Sequence, residues 1–543
     1  MALDTGTGRR RPAGDAVDVV VVGAGLAGLY MLYRLRGLGF SARCFEAGDD
    51  VGGTWYWNRY PGARCDIESV AYSYSFSEEL QQEWHWTERY AAQPEILRYV
   101  GHVADRFDLR RDILFATRVT AATFDEAARR WTIETDRGDR VSARYCVMAT
   151  GCLSAAQVPQ FPGPETFAGP WYHTGRWPHE GVDFTGLRVG VVGTGSSAIQ
   201  SIPLIARQAA HLYVFQRTPN FSIPAHNAPL DPEYERWVKA NYPERRRQER
   251  ESRAGFIAER GDTPALAATP DERERAYEGR WRRGGLGFTS AFADLLTDRA
   301  ANETAAEYVR AKIRAAVRDP AVAAALSPRD YPIGTKRLCL DTDYYATFNR
   351  DNVTLVDVRA APIVAITPEG LRTRDAAYAL DSIVFACGFD AMTGALLSIE
   401  IRGRGGCALR ERWADGPRAY LGLMVAGFPN LFTVTGPGSP SVLSNMIVSI
   451  EQHVEWIADC LAYLRAHGLA CIEATGAAED AWVAHVAEAG SATLYPAANS
   501  WYMGANVPGK PRVFMPYIGG VGNYRRICDD VAARGYAGFA LSG

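Results

Sequence analysis

Two glycine-rich turns, Gly23-Ala-Gly-Leu-Ala-Gly28 and Gly193-Thr-Gly-Ser-Ser-Ala198, constrain this chain more than any other feature. Each comes after a short, mainly apolar run, Val17 to Val22 and Arg188 to Val192, of the kind a parallel strand buried on both faces requires. In such a turn the first glycine (Gly23, Gly193) permits the bend and the second (Gly25, Gly195) lets a pyrophosphate approach the backbone. The last small residue, Gly28 or Ala198, lets the next helix pack on its strand. That helix offers free N–H groups and the positive end of its dipole to phosphate. Each turn therefore reads as a βα unit that binds a dinucleotide, and neither says what is done with it.

The end of the next strand separates the two units. The strand Ala42 to Phe45 ends in Glu46, 18 residues after Gly28. A carboxylate there accepts hydrogen bonds from ribose hydroxyls and repels a 2′-phosphate, which suits FAD or NAD rather than NADP. The strand His211 to Phe215 runs instead into Gln216-Arg217-Thr218. Arginine can grip a 2′-phosphate through a planar fork and a fixed charge. Acid at one site and base at the equivalent place of the other assign FAD to the first and NADPH to the second.

At 543 residues the chain is too long for one core, and two or three domains are expected. A net charge of −3 gives no electrostatic reason to expect nucleic acid or an anionic membrane as partner. The ten cysteines contain no Cys-x-x-Cys, which speaks for reduced, mostly buried thiols in a cytoplasmic protein and against a dithiol reductase built on the same nucleotide folds. No zinc-like Cys/His spacing occurs either, so no metal is expected. The apolar run Val17 to Tyr33 has the length of a membrane segment, but Asp18 and three glycines make it a strand turning into a helix. Residues 1–15 carry Arg9-Arg10-Arg11 with no separate apolar region behind them, and read as a loose tail.

Between the two turns lies Phe167-Ala-Gly169-Pro-Trp-Tyr-His173-Thr-Gly-Arg-Trp177-Pro178. On residues alone His173 is a satisfied loop histidine. The pattern Phe-x-Gly-x3-His-x3-Trp-Pro, placed between two dinucleotide motifs, resembles the fingerprint of type I Baeyer–Villiger monooxygenases, FAD- and NADPH-dependent enzymes that insert oxygen beside a ketone. The similarity runs from about residue 17 to the C-terminus. Lys336-Arg337, the turn Gly436-Pro-Gly-Ser-Pro440 and the segment Asn499-Ser-Trp501-Tyr place it nearest the phenylacetone and steroid monooxygenase branch.

The resemblance implies an α/β fold of two doubly wound Rossmann-like domains with a helical insertion and a cleft between them. The FAD domain would comprise residues 1–150 and 390–543, the NADP domain 151–224 and 333–389, and the insertion 225–332. Ala149-Thr150-Gly151 and Ala386-Cys387-Gly388-Phe389-Asp390 would be the outward and return crossings, Cys387 standing where threonine is usual. In the aromatic stretch Gly52 to Asp66, which on residues alone is an aromatic mini-core under a long loop, Thr54, Trp55, Tyr56, Trp57 and also Tyr72 would touch FAD. Arg64, Cys65 and Asp66 would face the nicotinamide. Gly193, Thr194, Gly195, Ser196, Ser197 and Ala198, with Arg217, Thr218 and Lys336, would hold NADP; Met446 would open a helix toward the flavin, and Trp501 would belong to a lid.

The implied chemistry uses a small ketone and O2, with no protein partner, and makes an ester or lactone through a C4a-peroxyflavin. Aryl or steroid-like ketones suit the branch. Arg337 would be the cation that keeps the peroxide deprotonated, because guanidinium does not give up its proton, and Asp66 would hold it. Two other readings share the cofactors: a flavin-containing N- or S-monooxygenase, whose linker motif usually ends in Tyr, and a non-catalytic NADPH-sensing flavoprotein, which needs neither Arg337 nor Asp66.

Overall fold

A computed structural model describes residues 16–543; the N-terminal tail, residues 1–15, lies outside the described residues. Strands β1 (Val17–Val22), β2 (Ala42–Phe45), β3 (Ile113–Leu114), β4 (Val119–Asp125), β5 (Arg130–Thr135) and β6 (Arg140–Met148) build the first sheet. Its order is Glu400–Arg402, β4, β5, β6, β1, β2, β3, and Leu431–Thr433 also pairs with β6. β1 lies between β2 and β6, parallel to both, and the side chains of Val19, Val20 and Val21 are fully buried. That is why this strand is continuously apolar from Val19 to Val22 rather than alternating. β4, β5 and β6 form an antiparallel meander, so the sheet is mixed. β4 is hard to discern in the sequence because its inward residues (Val119, Ala122, Phe124) are spaced irregularly around a register shift.

The second sheet contains β7 (Trp171–His173), β8 (Arg188–Val192) and β9 (His211–Gln216), joined by Val353–Asp357 and Ser382–Phe385. The order is Val353–Asp357, β9, β8, Ser382–Phe385, β7, with every neighbouring pair parallel. The fingerprint thus supplies the edge strand β7 and the turn after it; it is part of the second sheet as well as a link toward it. A small antiparallel sheet, Ile363–Thr367, Gly370–Thr373 and Ala377–Ala379, covers one end.

The chain passes between the sheets twice, and each passage backs onto a glycine turn. Gly23, at φ +104°, leaves no room for a side chain: a Cβ there would stand 2.6 Å from the carbonyl oxygen of Ala149. Gly193, at φ +113°, meets the carbonyl oxygen of Ala386 at 2.5 Å in the same way. The passages also touch each other, through an isolated bridge between Ala156 and Phe389, Asp390 N–H donating to Ala155 O (2.8 Å) and Gln157 N–H donating to Gly388 O (2.9 Å).

Residues 225–332 hold the helices Pro232–Ala240, Tyr242–Glu251, Pro270–Arg283, Arg299–Ala316 and Pro320–Leu326. Thr269 and Glu272 form a capping box at the third, and Asp298 caps the fourth. The run Glu244 to Arg250 reads from sequence as a solvated helix face, which holds for Glu244, Arg247 and Gln248, while the opposite face of the same helix is buried. Arg246 and Glu249 are buried and paired at 2.9 Å, and Arg246 also donates to Ser73 Oγ (2.7 Å) and Ala71 O (3.3 Å). Charge alone could not tell this face from an exposed one, because the partners are more than 170 residues away in sequence.

The chain then returns to the first sheet, and the long helix Met446–Ala466 packs across Leu26–Gly37. Among the described residues no helix is long and apolar enough to cross a membrane. All ten cysteines are free, and among the described residues no cluster of metal-binding side chains occurs.

Candidate active site

The first glycine turn is completed by Glu46. One carboxylate oxygen accepts from Ala24 N–H and the other from Gly48 N–H, both at 2.7 Å. The acid at the end of β2 is thereby aimed along the mouth of the turn, and each oxygen keeps a lone pair for a ribose hydroxyl. Gly25 approaches Gly53 backbone to backbone; a Cβ on Gly53 would lie 2.9 Å from Gly25 Cα. This contact brings the aromatic stretch to the turn. Thr54–Trp57 is one helical turn with Thr54 exposed, Trp55 and Tyr56 buried. Trp55 Nε1–H donates to Tyr72 OH at 3.1 Å, and the rings meet edge to face at 5.9 Å.

At the second turn Thr194 Oγ1 donates to Thr218 O (2.8 Å), which locks the turn to the strand end that carries Arg217. Ser196 Oγ lies 3.1 Å from Cys339 Sγ, and Ser197 Oγ lies 3.1 Å from Thr174 Oγ1. A Cβ on Gly195 would meet nothing within 4 Å, so space is open where a pyrophosphate would pass. Lys336 stands with its Nζ 4.9 Å from the ring of Tyr331. Burial, then the charge of nearby Arg217, brings its pKa down to about 8. Lys336 and Arg217 crowd together there, and among the described residues neither is bonded to a carboxylate, the arrangement expected of a phosphate site.

Arg337 and Asp66 are brought together across 271 residues. Arg337 Nε–H and Nη2–H both donate to one oxygen, Asp66 Oδ2, at 3.2 and 3.1 Å, and Nη1–H donates to Val442 O at 3.3 Å. The fork therefore converges on a single oxygen rather than spanning both. Burial raises the Asp66 carboxyl above its ordinary value despite Arg337; burial would lower Arg337, but the Asp66 charge more than offsets it and holds the guanidinium above its ordinary value. The choice of guanidinium over ammonium matters here, since a fixed cation is kept under burial only by arginine.

Around this pair Arg64 is ion-paired with Glu88, and Cys65 is buried with its thiol pushed up to about 12 by burial. Glu88 carries no motif that would mark it in the sequence. Val442, Tyr495, Tyr502, Phe514 and Met515 form an apolar cluster with Trp501 and Met446 packed against it. Met446 opens its helix behind Asn445, whose side chain accepts from Ile447 N–H. Trp501 sits in a short turn, Trp501–Met503, its ring 4.2 Å from that of Tyr502. This segment is tied down further on, where Lys510 Nζ donates to Asp390 (2.5 Å) and Ala391 O (2.8 Å) and Asn506 donates to Phe389 O (2.7 Å).

His173 is 2% exposed and both ring nitrogens are engaged within the protein. Nδ1 accepts from Gly175 N–H at 3.0 Å, which leaves Nε2–H to donate to Gln157 O at 3.3 Å. Burial lowers its pKa, so the ring is neutral. The rest of the fingerprint surrounds this bond: Phe167 packs on the second sheet, a Cβ on Gly169 would meet Asp381 O at 2.3 Å, Trp177 is buried beside Tyr172 and Phe184, and Pro178 lines a groove with His179. His173 therefore fastens the fingerprint to the outward passage, and through Gln157 to the return one.

Two dinucleotide folds that differ in the charge at their ribose ends, with a partly buried arginine–aspartate pair between them, define a flavoprotein of the monooxygenase class. The family model for flavin-binding monooxygenase-like proteins matches residues 16–225. A Baeyer-Villiger monooxygenase of Pseudooceanicola batsensis is 44% identical over 535 residues, 98% of this chain and 97% of that one. A phenazine N-monooxygenase of Lysobacter antibioticus is 42% identical over 528 residues, 96% and 97% of the two chains. A solved structure of oxidized steroid monooxygenase bound to NADP superposes with a TM-score of 0.93 at 58% identity, covering 97% of this chain and all of that one. The chain belongs to the Baeyer–Villiger monooxygenase family.

Proposed function

We propose that this protein converts ketones with an aryl or steroid-like apolar body to esters or lactones, using O2. It is an FAD-dependent enzyme that takes its electrons from NADPH. The residues fit both cofactors: Glu46 and the side-chain-free Gly25–Gly53 contact suit FAD, and Arg217 with Lys336 suits a 2′-phosphate. FAD and NADPH, when bound, supply the hydride transfer and oxygen activation; the chain does the rest. Glu46, Thr54 to Trp57 and Tyr72 hold the first cofactor, and Thr194 to Ala198, Arg217, Thr218 and Lys336 hold the second. Arg64 to Asp66, Met446 and Trp501 line the space between them.

The observation that carries the reading is the Arg337–Asp66 pair. Asp66 and Val442 O fix the direction of a permanent cation, which supports a catalytic role for Arg337 between the two nucleotide sites. Such a cation stabilises negative charge developing on reacting oxygen without itself needing to lose a proton. The apolar wall of Tyr495, Tyr502 and Phe514 excludes water from the same space. The domain boundaries proposed are 1–150 with 390–543 for FAD, 151–224 with 333–389 for NADP, and 225–332 for the insertion. The balance of reduced thiols and modest negative charge fits a cytoplasmic enzyme acting without a protein partner.

N-oxidation is the second reading, favoured by the similarity to a phenazine N-monooxygenase. NADPH consumption and product formation should be measured with a ketone panel, with aromatic amines and N-heterocycles, and without substrate. Ester or lactone from ketones, in step with NADPH, supports the proposal. N-oxide as the only product replaces it, and no product from either class with tight NADPH binding leaves a sensor.

A further inference from the structure

Behind the apolar wall of the active site opens a cleft of about 430 Å³ lined by Arg253, Arg260 and Arg526, together with Ser252, Asn523 and Ile518. Among the described residues none of the three arginines is paired with a carboxylate; Arg526 only touches Gly522 O at 3.4 Å. Neighbouring basic residues are treated differently: Arg245, Arg246, Arg247, Arg280 and Arg283 all have acidic partners. Glu251, the one acid on the rim, is taken by Arg247 at 2.7 Å. Burial, then the like charge of Arg260, lowers the Arg253 pKa, so those two guanidiniums lie close enough to repel, and Arg526 lines the same cleft.

Their place is fixed. Ser252 O and Arg253 O accept from Gly522 N–H and Val521 N–H (3.0 and 2.9 Å), which seats this loop on the start of the helix Val521–Ala533 that carries Arg526. The cleft also shares its wall with the active site. Ile518 and Ala489 line it and belong to the apolar cluster of Tyr495, Tyr502 and Val442. Tyr495, buried in that cluster, feels the charges of both Arg253 and Arg337, so it stands between the cleft and the catalytic pair.

We propose that this cleft is a specificity site for the anionic end of the substrate: a ketone bearing a carboxylate or phosphate at the end remote from its carbonyl. The apolar cluster takes the body of such a molecule, Arg337 faces the carbonyl, and the three guanidiniums replace the water lost by the anion with charge-assisted hydrogen bonds. A neutral ketone would leave the arginines repelling one another, so the two substrate classes are sorted by KM. This rests on the proposed ketone oxidation, which neutral methyl esters of the same keto acids test separately.

The test uses the FAD-loaded enzyme with NADPH and a series of unbranched ω-1 keto acids, each paired with its methyl ester, which has the same carbonyl and no charge. At the chain length that spans the gap, kcat/KM for the acid should exceed that for its methyl ester by about tenfold or more, through KM, and the advantage should shrink with added salt. Arg253→Glu/Arg526→Glu should reverse the acid-to-ester ratio, and Arg253→Gln/Arg526→Gln, the milder pair, should abolish it, with flavin spectrum and melting temperature checked for both. Inorganic phosphate should compete with the acid and leave the methyl ester untouched. A ratio near one at every chain length, or one that survives both variants, overturns the proposal. Phosphate altering turnover of the methyl ester also overturns it, making the cleft a site for a free anion. Failure of the acids and their methyl esters while an aryl ketone is still turned over would overturn the proposal, and failure of the aryl ketone as well would instead strike the ketone-oxidation reading itself.

Discussion

Replacing Arg337 tests the centre of the mechanism, and Coulomb's law gives the order of the effect. Arg337→Ala removes a cation that can stand about 4 Å from the reacting oxygen; at an effective dielectric near 20 that is about 4 kcal/mol, on the order of a thousandfold in rate. The variant should bind FAD and be reduced by NADPH, yet yield almost no ester and send its NADPH slowly into hydrogen peroxide. Arg337→Lys keeps the charge but offers one direction of bonding where Nε–H and Nη2–H now converge on Asp66 Oδ2. Losing one charge-assisted bond costs about 1.5–3 kcal/mol, so lysine should restore little of the rate.

Stability gives a second readout of the same pair. Breaking a buried pair costs about 3–5 kcal/mol, but the Arg337 side chain is 31% exposed, and screening brings the expected loss to about 2. Burial already raises Asp66, and without Arg337 it rises further. A carboxyl whose folded pKa lies above its unfolded value lends stability below the unfolded value and loses it as pH climbs through the folded one. The melting deficit of Arg337→Ala should therefore shrink from about pH 7.5 to about pH 5. Ester, NADPH and peroxide are assayed together, and melting is followed at both pH values. Near-normal ester formation by the alanine variant would refute the role given to Arg337.

Three further outcomes are expected. Arg217→Ala should weaken NADPH binding by about 1.5–3 kcal/mol and hardly touch NADH; in the unmutated enzyme NADP+ affinity measured by titration should fall as pH rises through about 8, where Lys336 loses its charge, and Lys336→Met should flatten that fall. His173→Ala should slow turnover while both cofactors stay bound, and its pH–rate profile should match the parent's; a vanished limb would make His173 an acid or base. Glu451, buried on the helix Met446–Ala466, accepts from Ser75 N–H and Oγ–H, and burial raises it to about 7. Its stability contribution is present at low pH and lost as pH rises through about 7, so Glu451→Gln should match the parent near pH 5 and melt higher near pH 8.5.

Much of this was legible in the sequence because it depends on local chemistry. Gly23 and Gly193 announce themselves, since only glycine fits the backbone of each turn, and Glu46 and Arg217 stand at a set distance behind them. The strands β1, β2, β8 and β9 fall where the short apolar runs put them, to within a residue. The hidden features depend on partners distant in sequence. Glu88 holding Arg64, the buried face of Arg246, and the engagement of both nitrogens of His173 by Gln157 and Gly175 have no local signature. The edge strand β7 is three residues long and too short for any period to show.

The two passages between the sheets bear on where this protein can grow. Each passage presses a carbonyl, that of Ala149 or Ala386, into the back of its own glycine turn, and the pair are stitched together at Ala156 and Phe389. Adding one residue to either passage would shift a cofactor turn and unpick the seam at once, so length there is under a double constraint. The helices between residues 225 and 332 leave the second fold and rejoin it without passing through that seam. Variation in substrate size across related chains should therefore accumulate in the helices, while the passages keep their length to the residue.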